Sequence, residues 1–190
     1  GRLNGMFALG FFEPARGSLL LARDPMGIKP LYWVPQGRTL LFASEVRALA
    51  RSGLVPLDIS LAAVGGVLAF GAPQEPLTIL ESVRAFPAGT WARLRLERSG
   101  RAVEEERARF WSIPEVDPTA SAEDAVPLLR SALDAAVRDH LVSDVPVGVF
   151  LSSGIDSTLI ASLAARHTPH LKTFTVGFST ESPELSESPV

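Results

Sequence analysis

A short run of small polar residues, Ser-Ser-Gly-Ile-Asp-Ser at residues 152–157, has the types and spacing to do chemistry. Gly154 lets the backbone approach a ligand closely, and Ser152, Ser153 and Ser157 carry hydroxyl groups. Backbone N–H groups in such a loop, followed by a helix N-terminus, point into one small volume and favour an anion. The pattern therefore predicts a loop that binds phosphate.

Asp156 is the unusual member of this loop, because a carboxylate repels phosphate. A hard cation removes the conflict, since Mg²⁺ takes carboxylate and phosphate oxygens together. We therefore predict that Asp156 places Mg²⁺ beside the phosphate. The Walker pattern is excluded because no Lys follows the loop, and the nucleophile elbow is excluded because Phe150 stands where that motif needs Gly. A serine-rich structural turn is the alternative interpretation.

The elements around the loop must place it at the edge of a sheet. Residues 147–151 are apolar and rich in β-branched side chains, as in a strand buried on both faces. Helical spacing of apolar residues begins at Ile155, and a second strand is predicted over residues 172–178. A nucleotide bound to such a strand–helix–strand unit lies across the carboxyl ends of the strands.

The loop resembles the S-G-G-x-D-S loop of the N-type ATP pyrophosphatases, the PP-loop enzymes. With residues 143–149 before it and 174–178 after it, the resemblance narrows to the glutamine-dependent asparagine synthetase family. Ser153 departs from that family, which has Gly here, and a serine is unfavourable only if its φ is positive. The resemblance implies ATP and Mg²⁺ as ligands, with Asp156 holding the metal ion. It also implies that the adenine and ribose lie near the ends of the two strands. The ATP- and pyrophosphate-binding residues that it implies are Leu151, Ser152, Ser153, Gly154, Asp156, Ser157, Val176 and Gly177.

The first half of the chain resembles the rear half of a class II glutamine amidotransferase domain. Residues 3–8, 23–32 and 42–49 carry this match, and residues 83–90 again resemble the asparagine synthetases. In the amidotransferase family the nucleophile is an N-terminal cysteine, and this chain has no Cys. No glutaminase catalytic residue is therefore assigned. Because the chain begins without Met, we expect a fragment of a longer protein.

Proline, aspartate and serine clusters over residues 111–122 predict a domain boundary. We expect a two-domain protein that combines the α+β and α/β classes. Residues 1–113 would be the C-terminal part of a type 2 glutamine amidotransferase domain, an antiparallel sandwich. Residues 122–190 would be the N-terminal part of an ATP-binding asparagine synthetase domain, with the parallel PP-loop sheet of the adenine nucleotide alpha hydrolase-like fold.

Local patterns predict the remaining elements. Strands are predicted at residues 5–12, 18–22, 39–43 and 90–96, and helices at residues 45–51, 60–70 and 122–141. Ser44 and Ser60 are predicted as helix N-caps. The adjacent glycines at residues 65–66 predict close packing against a neighbouring helix.

Several other charged residues are interpreted as structural. Arg23 and Asp24 are expected to pair and brace the loop that contains Lys29, although this loop could instead face the domain interface. Consecutive glutamates at residues 104–106 cannot converge from one strand or helix face, so a solvated run is expected.

The histidines do not predict a metal site. His140 is expected to interact with the C-terminal end of its helix. His167 and His170 are expected in a loop around Pro169, without the two further ligands that a metal would need.

The composition is that of an ordinary globular protein, with 46% hydrophobic and 21% charged residues. A net charge of −3 argues against nonspecific nucleic-acid binding. The absence of Cys excludes a disulfide framework and a thiolate metal site. No signal peptide or membrane-spanning run is evident, so we expect a cytoplasmic protein with no membrane partner.

The resemblance implies an ATP-dependent carbon–nitrogen ligase of asparagine biosynthesis. Such an enzyme takes ammonia from glutamine, activates aspartate as an aspartyl-adenylate, and releases asparagine, AMP and pyrophosphate. ATP, aspartate and glutamine are the implied partners, and a homodimer is left open. The fragment is expected to be inactive alone. A β-lactam synthetase-like ligase and a noncatalytic nucleotide-binding homologue are the alternatives.

Overall fold

The computed structural model describes residues 3–34, 39–97, 99, 101–116 and 121–177. The chain divides into two compact units, Gly1–Glu115 and Val116–Val190, and each is considered by itself. Antiparallel sheets with a few helices build the first unit, so this part of the expected fold class is confirmed. No helix in the described ranges is both long and apolar enough to cross a membrane.

The first unit contains two antiparallel sheets, with strand orders β1-β2-β6-β7 and β4-β3-β5. Its strands are β1 (Ala8–Glu13), β2 (Ser18–Arg23), β3 (Tyr32–Val34), β4 (Leu41–Ala43), β5 (Arg84–Ala85), β6 (Thr90–Leu96) and β7 (Ala102–Arg109). Its helices are α1 (Val46–Arg51), α2 (Leu61–Phe70) and a 3₁₀ turn at Pro14–Arg16. The turn joins β1 and β2 into the predicted hairpin, in which Glu13 lies opposite Ser18.

The core of this unit comes from strand alternation. Ala92 and Leu94 of β6 are buried while Arg93 and Arg95 between and beyond them are exposed, as the predicted strand at residues 90–96 requires. Ala92 and Leu94 belong to a buried hydrophobic cluster that also contains Phe86 and side chains of β2 and β3. The members of this cluster are Leu19, Leu21, Leu31, Trp33, Phe86, Ala92 and Leu94.

Three local predictions for the first unit have different outcomes. Ser60 is an N-cap, because its hydroxyl accepts the Ala63 N–H at 3.3 Å. Ser44 is not a cap, since α1 begins at Val46 and its cap position is Glu45. The glycine prediction is also wrong: a carbon added at Gly66 would meet the backbone of residues 72–74 at 3.3–3.5 Å, so the close neighbour is the chain after α2.

The second unit contains a parallel pair of strands joined by a helix. Its elements are α3 (Ala122–His140), β8 (Gly148–Phe150), α4 (Ile155–His167) and β9 (Lys172–Phe174). Strands β8 and β9 pair in parallel, with Phe150 opposite Phe174. Among the described residues of this unit, Leu163 and Ala164 of α4 are the buried apolar ones.

The expected burial of β8 on both faces is wrong. Phe150 is 79% exposed and Phe174 is 54% exposed. The sheet formed by the described part of this unit has two strands, so its faces and edges have few neighbours to cover them. Of the predicted strand at residues 172–178, residue 178 lies outside the described ranges.

Candidate functional site

The candidate loop connects the carboxyl end of β8 to the start of α4. The Leu151 N–H donates to the Phe174 carbonyl at 2.9 Å, so the two strands remain paired up to the loop. Gly154 is the residue that precedes the helix, with φ −72° and ψ 148°, and no side chain caps the helix there. The first-turn N–H groups of α4 are therefore open to a ligand.

Two serines of the loop, Ser152 and Ser157, bond to each other. The Ser152 N–H donates to Ser157 Oγ at 3.2 Å, the hydroxyl oxygens of these two serines are 2.9 Å apart, and the Gly154 N–H donates to Ser152 Oγ at 3.2 Å. Ser157 Oγ also lies 3.0 Å from the Gly154 carbonyl oxygen. Two of the three predicted hydroxyl donors, those of Ser152 and Ser157, are therefore brought together, but they are engaged within the loop. The Ser153 hydroxyl has no hydrogen bond to the residues that the structure describes.

Other N–H groups of the loop have no acceptor among the residues that the structure describes. Within the described ranges, no acceptor lies against the N–H groups of Ser153 and of residues 155–157. The helix dipole adds a partial positive charge at the same place. The hydroxyls of Ser152 and Ser157 belong to the same loop, so several hydrogen-bond donors at the N-terminal end of α4 are available to one anion.

Asp156 lies in the first turn of α4 and is exposed. Among the residues that the structure describes, its carboxylate has no hydrogen-bond or ion-pair partner, which leaves it available to a cation. No group of three or more acidic, His or Cys side chains in the same ranges is arranged to hold a metal ion by itself. A cation at Asp156 would therefore take most of its ligands from phosphate oxygens and water.

Ser153 and Gly154 fit their places for different reasons. No residue other than glycine has a positive φ in the described part of the chain, so the Ser at position 153 causes no backbone strain. At Gly154, an added carbon would lie 3.2 Å from Ser152 Oγ and would press on the serine network.

Thr175 is a residue that sequence reasoning missed. Its hydroxyl donates to the Leu151 carbonyl at 2.9 Å, which ties the end of β9 to the start of the loop. Val176 follows and is 62% exposed, and the space around Gly177 is open. Leu151, which follows β8, thus lies beside the end of β9, and Val176 and Gly177 come directly after that end. The signal that could have revealed Thr175 was its position directly after the second strand.

Of the three histidines, His167 is placed differently from the prediction. His167 is the last residue of α4, not part of a loop, and its Nε2 lies 3.0 Å from Asp134 Oδ1 of α3. Arg166 Nη1 lies 3.6 Å from the same oxygen, so this cluster links the two helices. His140 Nδ1 lies 2.7 Å from the Ala136 carbonyl oxygen at the end of α3, where a terminal interaction was expected.

In the first unit, Arg23 and Asp24 are buried and do not pair with each other. The predicted pair is wrong, but both residues brace the loop. The Asp24 carboxylate accepts four backbone N–H groups, those of Phe7, Met26, Ile28 and Lys29. Burial raises the pKa of Asp24, and these four N–H groups lower it by more, so its pKa lies below the usual value.

Arg23 stabilises the same loop through its guanidinium group. It donates to the carbonyl oxygens of Phe86, Gly27 and Lys29 at 2.7–3.0 Å, and to the Glu75 carboxylate at 3.0 Å. All of these contacts lie within the first unit. The residues at 104–106 are exposed, as expected, and they form ion pairs with neighbouring arginines.

Comparison with known proteins identifies both parts of the chain. Residues 1–111 match the family described as a glutamine amidotransferase domain, and residues 128–190 match the family described as asparagine synthase. A Mycobacterium tuberculosis protein provisionally named asparagine synthetase (glutamine-hydrolyzing) is 36% identical over 95% of this chain, which covers 28% of that protein.

Two Bacillus subtilis proteins extend this comparison. Asparagine synthetase (glutamine-hydrolyzing) 1 is 36% identical over 93% of this chain and 27% of its own length. Asparagine synthetase (glutamine-hydrolyzing) 3 is 32% identical over 87% of this chain and 26% of its own length. The chain thus spans little more than a quarter of the length of these relatives. Through residues 1–111 the chain belongs to the glutamine amidotransferase domain family, and its two family matches together are those of a glutamine-dependent asparagine synthetase.

Proposed function

We propose that the loop at residues 152–157 binds the triphosphate of ATP and holds pyrophosphate as it leaves. The observation that carries this proposal is the arrangement at the N-terminal end of α4: the paired hydroxyls of Ser152 and Ser157, the Asp156 carboxylate, and N–H groups that have no acceptor in the described part of the chain. Any helix begins with unpaired N–H groups. This loop differs from an ordinary helix start in three ways: the additional N–H of Ser153, the hydroxyl pair, and the Asp156 carboxylate, which has no partner among the described residues.

The serine network can change partners without moving the backbone. A hydroxyl rotates and has one proton and two lone pairs. Ser157 Oγ now lies 3.0 Å from the Gly154 carbonyl and 3.2 Å from the Ser152 carbonyl. Rotation toward a phosphate oxygen would replace one of these neutral bonds with a stronger bond to an anion. This supports direct hydroxyl contacts to the leaving pyrophosphate.

The residues around Asp156 fit a magnesium ion. Mg²⁺, when bound, would neutralise charge that develops on the pyrophosphate. Asp156 is exposed and free of cationic partners in the described ranges, and the neighbouring N–H groups would hold the phosphate oxygens close to its carboxylate. We propose Asp156 as the protein's contribution to that metal site.

For the full-length protein we propose the reaction that the relatives' names state. Ammonia would come from glutamine through the domain to which residues 1–111 belong. Aspartate would be activated by ATP and amidated to asparagine, with release of AMP and pyrophosphate. The leaving group is then an anion, which is why fixed N–H donors support the reaction electrostatically.

An ATP–pyrophosphate exchange assay on the full-length protein tests this proposal. Exchange should require aspartate and Mg²⁺, and Asp156→Ala should lower it by about 100-fold, as loss of a group that stabilises transition-state charge commonly does. Asp139→Ala is the matched control, because Asp139 is also an exposed helical aspartate and lies near the end of α3.

Two results would contradict the proposal. Equal exchange by the wild type and Asp156→Ala would remove Asp156 from the site. Exchange that proceeds with another acceptor but not with aspartate would exclude asparagine synthesis and would favour a ligase of different specificity.

A further inference from the structure

The parallel ladder between β8 and β9 stops one bond early. The Leu151 N–H donates to the Phe174 carbonyl. In a regular parallel ladder the next bond would run from the Val176 N–H to the Leu151 carbonyl. The structure places the Thr175 hydroxyl on that carbonyl instead, at 2.9 Å. Within the described ranges, the Val176 N–H has no acceptor.

We propose that Thr175 is a positioning residue of the nucleotide site. Its hydroxyl occupies the Leu151 carbonyl and thereby keeps the Val176 N–H out of the ladder. That N–H, which has no acceptor among the described residues, lies at the carboxyl edge of the sheet, where the loop that carries Ser152 begins. This inference rests on the proposed binding of ATP and adds a determinant of which base is accepted.

The chemistry of the two strand ends favours adenine. Leu151 uses its N–H within the ladder, but its carbonyl has a second lone pair beyond the one that Thr175 occupies. The strand ends thus offer one donor, on Val176, and one acceptor, on Leu151. Adenine presents the complementary pair, an acceptor at N1 and a donor at N6. Guanine presents the reverse pair at N1 and O6, so it would leave both backbone groups unpaired.

Two substitutions separate the hydroxyl from the shape of Thr175 in the full-length protein. Thr175→Val keeps the β-branched shape and removes the hydroxyl, whereas Thr175→Ser keeps the hydroxyl. Thr173→Val is the matched control, because it makes the same change two residues earlier on the same strand, where the hydroxyl has no partner in the described ranges. Equilibrium binding of ATP and of GTP, each with MgCl₂, is measured for the wild type and the three variants.

Binding should follow the hydroxyl. Thr175→Val should weaken ATP binding about fivefold, the factor expected from one lost neutral hydrogen bond, and should leave the weaker binding of GTP unchanged. The KM for ATP should rise by the same factor while kcat stays within twofold of wild type. Thr175→Ser and Thr173→Val should bind ATP like the wild type. Wild-type affinity in Thr175→Val, or an equal loss in Thr175→Ser or Thr173→Val, would overturn the inference.

Hydrogen exchange of the Val176 N–H tests the ladder argument without any nucleotide. We expect fast exchange in the wild type and slower exchange in Thr175→Val, where the N–H can complete the ladder to Leu151. Equal exchange in both proteins would overturn the inference even if ATP binds. If the wild type binds no ATP at all, the proposed function fails, and the exchange result still decides whether Thr175 controls the ladder.

Discussion

Asp24 provides a direct test of how the first unit is stabilised. Its side chain is 1% exposed, and its carboxylate accepts four N–H groups at 2.9–3.3 Å. These groups come from both sides of Asp24 in the sequence, from Phe7 and from the loop that reaches Lys29. The carboxylate therefore fixes the β2–β3 loop against the segment that precedes β1.

Replacing Asp24 with Asn should destabilise this unit by about 4 kcal/mol. Asn keeps the shape but has one acceptor oxygen in place of two, and it turns an N–H₂ donor toward other donors. Hydrogen bonds to a charged group each contribute roughly 1.5–3 kcal/mol, and a buried donor left unpaired costs a similar amount. Because the four bonds share one carboxylate, their losses do not add fully. A loss of this size is a large fraction of the roughly 5–15 kcal/mol that stabilises a domain.

Hydrogen exchange at increasing urea measures this change in the full-length protein. Peptides from residues 18–34 report the free energy of unfolding of the segment that contains Asp24. Asp58→Asn is the matched control, because Asp58 is exposed in the same unit and its side chain has no hydrogen bond in the described ranges. An unfolding free energy for Asp24→Asn within 1 kcal/mol of wild type would refute the reasoning.

The same carboxylate predicts a pH dependence with a definite sign. The pKa of Asp24 is lower in the folded protein than its ordinary value, because the four N–H bonds outweigh the effect of burial. A lowered pKa stabilises the fold fully above the unfolded value of about 3.9, and this stabilisation is lost as the pH falls through the folded pKa. The difference between wild type and Asp24→Asn should therefore be constant near neutral pH and shrink below about pH 4.

Two further substitutions test the packing of each unit. At Gly89, φ is +59° and an added carbon would lie 2.7 Å from the Trp111 carbonyl oxygen, so Gly89→Ala should cost more than 2 kcal/mol in urea unfolding. Gly53→Ala, with φ +72° and open space, should cost only about 1 kcal/mol, and equal costs would contradict this reasoning. Asp134→Ala should lower the stability of the α3–α4 pair by about 1 kcal/mol or less at low salt, because Asp134 is partly exposed. That difference should shrink in 1 M NaCl, and a difference that does not respond to salt would show that the cluster acts by packing.

Elements whose signal is local were predictable from the sequence. The alternation over residues 90–96 gave the bounds of β6, because each second side chain enters the core. The N-cap at Ser60 was equally local, since its acceptor and donor are three residues apart. The loop at residues 152–157 was found for the same reason: its serines, glycine and aspartate are contiguous and need no distant partner to be recognised.

Long-range partners explain what the sequence did not reveal. Arg23 and Asp24 are adjacent and of opposite charge, which made a direct pair the obvious expectation. Their actual partners lie as far away as Glu75 and Phe86, which are 52 and 63 residues distant from Arg23. The contact between Thr175 and the Leu151 carbonyl spans 24 residues and depends on the register of β8 against β9. No local pattern encodes such a register.

Burial and hydrogen bonding separate the charged residues that stabilise this protein from the one proposed to act. Arg23 and Asp24 are buried, and their charged groups are already engaged, Asp24 by backbone N–H groups and Arg23 by backbone carbonyls and Glu75. Asp156 is the opposite case: it is exposed and unpaired in the described ranges, beside N–H groups that are also unpaired. A carboxylate that only stabilised the fold would be expected to accept some of these N–H groups, as Asp24 does. Because the Asp156 carboxylate and these N–H groups do not bond to each other, the carboxylate can hold a cation while the N–H groups hold an anion. Loss of Asp156 should therefore reduce ATP–pyrophosphate exchange without lowering the stability of α4.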